Sequence, residues 1–158
     1  GLVDIGLLLE PIDIEKYEYI RLDMKERWIV LMRPDDPLAE KEAIAAKDLV
    51  ELPLILPRRL SVQSELASWF GDYYEDLNVL FTSNLSTNAS MMVNHGLAYS
   101  VVIEGSVPFW DQSKITYRPL YPNLTATSVL AWKRGQPFSL AATKFIEHIK
   151  CLLGMGKA

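Results

Sequence analysis

The stretch DLVELPLILPRRLSVQSELASWF, Asp48 to Phe70, decides the fold. Its apolar run Leu52-Pro53-Leu54-Ile55-Leu56 is too short to span a bilayer and reads as a buried strand. Pro57 stops that strand, because proline lacks the N–H that a central ladder needs. Ser61 then stands in an N-cap position, and Val62, Leu66, Trp69 and Phe70 follow at the spacing of one helical face. A strand passing straight into a helix places Arg58 and Arg59 at the strand's carboxyl end, just ahead of the helix N-terminus. In an open α/β sheet ligands bind at that edge, and helix N–H groups and guanidinium groups together suit an anion. The plainer reading is a pair of solvated loop arginines, and the stretch alone leaves both open.

Outward from this unit, strand and helix signals alternate. Val3 to Leu9 reads as a buried strand ended by Glu10-Pro11. From Tyr19 to Met32 the even positions Ile20, Leu22, Met24, Trp28, Val30 and Met32 are apolar, while Arg21, Asp23, Lys25 and Arg27 are charged, the mark of one long strand. RPDDPLA has turn chemistry, Ala43 to Val50 offers a short helix, and Asn78 to Thr82 a strand. Leu85, Ala89, Met92 and Val93 recur at helical spacing before a Gly96 stop, and Leu97 to Ile103 is another apolar strand. Ser139 caps a last helix whose predicted inner stripe is Ala141, Phe145, Ile149 and Leu152, with Ile146 and Leu153 beside it. The pattern predicts an α/β fold with a largely parallel sheet. The extended segments Tyr19–Met32 and Ile115–Trp132 exceed ordinary strands and fit two antiparallel connections between lobes, with a ligand cleft between the lobes.

Composition narrows the function. The chain of 158 residues is 49% apolar and carries a net charge of −4. Its basic clusters are only the pairs Arg58-Arg59 and Lys133-Arg134, so it lacks the basic stripe of a nucleic-acid reader. No window is long enough for a transmembrane helix and no signal peptide opens the chain, so no membrane partner is expected. The single Cys151 excludes an internal disulfide and is expected to be a small buried hydrophobe. His95 and His148 lack metal-ligand spacing, and neither has a nucleophile partner, so no metal, cofactor or catalytic residue is assigned. The chain opens on a strand-like run with no polar lead-in, which points to a piece of a longer protein.

Read in order, VDIGLL, RPDDPLA, KDLVELPLIL, MMVNHGLAYSVV, YRPL and LAWKRGQPFSLAATKFIEHI resemble successive segments of the effector-binding domain of bacterial LysR-type transcriptional regulators, over nearly the whole chain. The chain departs from the family pattern at Ala98, where a second glycine is common, and at Ile103-Glu104, where a proline often ends the strand. The resemblance implies an α/β, two-lobed fold like the type II periplasmic binding proteins, with lobe I incomplete because two strand–helix units that precede VDIGLL in the family are missing. Lobe I would comprise residues 1–20 and 129–158, and lobe II residues 21–128. The implied function is non-enzymatic: a cytoplasmic, ligand-sensing domain that controls DNA binding through an N-terminal helix-turn-helix domain outside this chain. The alternative is a solute-binding protein of a transporter with the same fold. The implied effector is small and anionic, held by Pro57, Arg58, Arg59, Leu60 and Ser61, by Leu9 and Glu10, and by the strand end at Val102 and Ile103. Self-association is implied too, as a dimer and, in the full-length regulator, a tetramer.

Overall fold

In the computed structural model the described residues are 3–106, 111 and 113–154, so Gly1 and Leu2, ahead of the predicted opening strand, lie outside them. The chain divides into two compact units, Gly1–Lys25 with Thr127–Ala158 (unit 1) and Glu26–Ala126 (unit 2).

In unit 1, strand β1 (Gly6–Leu9) pairs antiparallel with β8 (Thr125–Lys133) in the register Gly6 to Ala131 and Leu9 to Ser128. The first half of β2 (Tyr17–Met32) lies on the other side of β8. Helix α3 (Leu140–Leu152) covers this sheet, and its start is as predicted: the Ser139 hydroxyl accepts the Ala142 N–H at 3.2 Å. Its rotation differs from the prediction. Ala142 and Ile146 are buried, and Ile146 packs with Ile20 and Trp132, flanked by Ile149 and Leu153. Ala141, Phe145 and Leu152 face outward, with Phe145 46% exposed. The helix carries two overlapping apolar stripes that share Ile149, and contact with Ile20 and Trp132 selects the second. Cys151 is exposed, contrary to its expected burial, because it lies off that selected stripe.

Unit 2 is built on a central parallel strand. β4 (Leu54–Pro57) pairs parallel with β5 (Val79–Ser83) on one side and with β6 (Tyr99–Ile103) on the other. The second half of β2 runs antiparallel to β6, from Trp28 opposite Ile103 to Leu31 opposite Ser100. It also runs antiparallel to β7 (Thr116–Tyr121), which pairs parallel with the short β3 (Ile44–Ala45). Helix α1 (Leu60–Phe70) joins β4 to β5 and turns Val62, Leu66 and Phe70 inward. Helix α2 (Ser86–Asn94) joins β5 to β6 and buries Ala89, Ser90 and Val93. Gly96, at φ +69°, follows α2 in the left-handed conformation that favours glycine.

Three expectations are corrected here. The period-two pattern of β2 holds only loosely in unit 1, where Met24 is exposed, and gives way to continuous burial from Trp28 to Met32, since sheet neighbours and helices cover both faces there. The helix predicted over Ala43–Val50 is instead β3 followed by a single 3-10 turn, Ala46–Asp48. Pairing with Leu120 and Tyr121 takes the backbone of Ile44 and Ala45, and the Asp48 carboxylate accepts both the Ala45 N–H at 3.0 Å and the Lys41 ammonium at 2.7 Å. Leu85 belongs to no buried stripe; it is the exposed residue preceding α2.

β5 ends the sheet and pairs only with β4 among the described residues. Its Val79, Leu80 and Phe81 are exposed, Phe81 at 48%, and the strand contains neither proline nor a charged side chain.

Candidate functional site

Because β4, β5 and β6 run parallel, their carboxyl ends fall on one edge of unit 2. β4 ends at Pro57, β5 at Ser83 directly opposite it, and β6 at Ile103. The chain after β4 is tied to the chain after β5 by the Arg58 N–H, which donates to the Ser83 carbonyl at 2.9 Å. Arg58 is exposed and Arg59 half-buried.

Ser61 is not the N-cap. Arg59 holds that position in extended conformation (φ −68°, ψ 120°), and its carbonyl accepts the Val62 and Gln63 N–H groups, each at 3.0 Å. The helix begins two residues earlier than an N-cap at Ser61 predicts, because the tie to Ser83 brings the chain to its helical turn at Leu60, leaving Ser61 inside the first turn. The Gln63 side chain donates back to the Pro57 carbonyl at 2.9 Å, which braces the loop. Neither α1 nor α2 has a side-chain cap, so the first backbone N–H groups of both helices face this edge without a side-chain acceptor. Leu60 is highly exposed at the start of α1.

The end of β6 is anchored. Glu104 accepts two hydrogen bonds of 2.7 Å from the Arg27 guanidinium and one of 3.2 Å from the Tyr117 hydroxyl. The Arg27 fork, aided by its positive charge, holds the Glu104 carboxyl below its ordinary value of 4.5. Next to it the Gly105 N–H donates to Glu26 at 3.0 Å. Val102 packs in the core with Ile29, Leu31, Val93 and Ile115, so its side chain is committed, while Ile103 is half-buried at the edge.

A group with a depressed carboxyl value contributes stability above its unfolded value and loses it as pH falls through the folded one. Glu104→Gln is therefore expected to be less stable than the parent at pH 7, with the difference shrinking as pH drops below 4.5. Urea unfolding at neutral and acidic pH checks this; a difference independent of pH would contradict it.

Leu9 and Glu10 lie in unit 1, at the end of β1. Glu10 donates its N–H to the Thr127 carbonyl at 2.9 Å, and its carboxylate accepts Arg21 Nε at 2.8 Å. The Arg21 guanidinium in turn sits 5.7 Å from the centre of the Tyr19 ring. The structure thus brings Pro57, Arg58, Arg59, Leu60, Ser61 and Ile103 to one edge of unit 2, and places Leu9 and Glu10 in the other unit.

Sequence reasoning missed two parts of this edge: the Ser83-Asn84-Leu85-Ser86 loop, where the Ser83 hydroxyl accepts the Leu85 N–H at 3.1 Å, and the Arg27–Glu104 pair. The loop was legible in principle, since every parallel strand ends on the same edge. The pair was not, because its members are distant in sequence. Among the described residues no cluster of His, Cys, Asp and Glu could hold a metal ion, and no helix is long and apolar enough to cross a membrane.

Comparison with known proteins extends this geometry. The LysR substrate binding domain model matches residues 1–153. The chain is 34% identical over 155 residues to the uncharacterized HTH-type transcriptional regulator YvbU of Bacillus subtilis, covering 97% of this chain and 51% of that protein. It is 24% identical over 140 residues to the Hca operon transcriptional activator HcaR of Escherichia coli, covering 86% of this chain and 47% of that protein. The chain therefore spans about half the length of these curated relatives. The fold matches the Synechocystis CcmR regulatory domain, solved in complex with 2-PG, with a TM-score of 0.73 at 20% identity, over 98% of this chain and 76% of that one. With a family match across nearly its whole length and a relative of this similarity, the chain belongs to the LysR substrate-binding domain family.

Proposed function

We propose that this chain is the sensing half of a LysR-type transcriptional regulator acting in the cytoplasm, and that it binds a small anionic effector which changes how a helix-turn-helix segment of the full-length protein engages DNA. The observation that carries the reading is the carboxyl edge of unit 2, where Arg58 and Arg59 stand at the start of α1, a helix without a side-chain cap. Fixed cationic donors and helix N–H groups on one edge favour a carboxylate or phosphate over a neutral ligand. In this reading Pro57, Leu60, Ser61 and Ile103 complete the unit 2 contacts, and Val102 offers only its backbone. The matched curated relatives are transcriptional regulators, which favours this reading over the solute-binding protein of a transporter.

The test is a thermal-shift and calorimetric screen of small carboxylates and phosphate esters against their uncharged amide or alcohol counterparts. A hit is then added to the full-length regulator on its operator. Selective binding of an anion that alters operator affinity is the expected result. Preference for the neutral counterparts, or binding without effect on the operator, would sink the reading.

Self-association belongs to the same proposal, and the uncharged, exposed β5 supports a place for it. Natural edge strands are usually protected by charge, proline or a covering element. Phe81→Glu is expected to weaken association roughly tenfold or more, since a charge buried without a partner is costly. Sedimentation over a range of concentrations measures it, and an unchanged distribution would remove β5 from the interface.

A further inference from the structure

The carboxyl edge of unit 2 carries a negative group as well as its two arginines. Glu26 is the first residue of unit 2 on β2 and is half-buried. Trp28 stands opposite Ile103, so the same antiparallel register, continued, sets Arg27 beside Glu104 and Glu26 beside Gly105. The side-chain bonds agree: Arg27 forks onto Glu104, and Glu26 accepts the Gly105 N–H at 3.0 Å. Strand alternation then fixes the side of the sheet. Ile29 and Val102 pack with Val93 of α2, so Arg27 lies on the α2 side, while Glu26, Trp28 and Ile103 lie on the other. Both faces of β4 are buried at Leu54, Ile55 and Leu56, and Ile55 packs against Ala89 of α2, so α1 covers the face opposite α2. Glu26 therefore shares both its sheet face and its edge with the start of α1. The strands β4, β6 and β2 are neighbours in that order, which puts Arg58 and Glu26 two strand spacings, roughly 10 Å, apart, with Ile103 between them.

The Glu26 carboxylate is held in place but not neutralised. Its Oε2 takes the N–H of Gly105, which lies in a 3-10 turn over Glu104–Ser106. A Cβ on residue 105 would stand 2.6 Å from that oxygen, so a glycine there permits the approach. The neighbouring cation, Arg27, is committed to Glu104 on the other face, and no cation pairs with Glu26 among the described residues. A carboxylate fixed by a neutral N–H keeps its charge, and its second oxygen can accept from another donor.

We propose that the acid taken by this edge is a zwitterion, with its carboxylate at Arg58 and Arg59, its ammonium on Glu26 and a short methylene chain against Ile103. This rests on the anion-site reading of the edge and narrows the effector to ω-amino acids. The simpler role of Glu26 is to brace the turn after β6. Glu26→Gln separates the two, since the amide oxygen still accepts the Gly105 N–H but carries no charge. Calorimetry of the full-length regulator compares γ-aminobutyrate and δ-aminovalerate with butyrate and valerate. The better amino acid should bind about tenfold or more tighter than the plain acid of its length. Glu26→Gln should erase that preference without moving the melting temperature, and Gly105→Ala should reduce it, because the added methyl displaces the carboxylate. The double variant Arg58→Ala/Arg59→Ala should weaken both kinds of acid. Equal binding of amino and plain acids, lost in the double arginine variant, would overturn the zwitterion and leave the anion-site reading standing. Binding of the acids that ignores the double arginine variant would remove both. No binding of either amino acid, or a preference that survives Glu26→Gln, would also overturn the assignment.

Discussion

Arg59→Ala is expected to weaken binding of an anionic effector roughly ten- to hundredfold, because a hydrogen bond to a charged group is worth about 1.5–3 kcal/mol. Arg59 is half-buried where Arg58 is exposed, and a partly desolvated guanidinium attracts an anion more strongly than a hydrated one. Arg58→Ala should therefore have the smaller effect. Arg59→Lys should also lose affinity, since an ammonium cannot reproduce the two-pronged geometry of guanidinium on a carboxylate. The helix start should survive all three changes. Arg59 caps α1 through its backbone carbonyl, which any of these residues supplies, and Gln63 still braces the Pro57 carbonyl. Calorimetry with the effector found by screening gives the affinities, and thermal melts without ligand show whether the fold is intact. Parent-like binding by both alanine variants would end the anion-site reading.

The second large effect is on stability. Trp28 is 1% exposed in β2, opposite Ile103 at the end of β6. Trp28→Ala should cost about 3–5 kcal/mol, the usual price of emptying a large aromatic site. Since whole domains are stable by about 5–15 kcal/mol, that loss should leave a population of unfolded chain at physiological temperature. Trp28→Phe should cost far less, for a specific reason. The buried indole N–H of Trp28 has no hydrogen-bond partner among the described residues, and an unsatisfied buried donor costs about 1–3 kcal/mol. Phenylalanine leaves some volume empty but removes that donor, so the two effects oppose each other, and a net loss below about 1.5 kcal/mol is expected. Urea unfolding of the two variants decides it. If phenylalanine is as destabilising as alanine, the indole N–H carries a bond that stabilises the fold.

These two residues also mark what was legible from sequence. Pro57-Arg58-Arg59 announced an edge because its signals are local: an apolar run, a residue without an N–H, then helical spacing, all within twenty-three residues. The long strand through Trp28 was legible from the same kind of local period.

By itself the sequence determined the order of the α-helices and the longer strands and the resemblance that carried the family, but not the short β3, the 3-10 turns or the antiparallel pairings of β2 and β1. Strand and helix periods are written in neighbouring residues, as is a cap such as Ser139. Only the tertiary structure decided which of two apolar stripes of α3 turns inward, since Ile20 and Trp132 make that choice. It also decided that Ile44 and Ala45 form a strand rather than a helix, since Leu120 and Tyr121 offer them a ladder. The Arg27–Glu104 fork and the Arg58 tie to Ser83 belong to the same class. Each is an interaction between residues far apart in the chain, whose energy exists only after folding has brought them together, and so no local pattern records it.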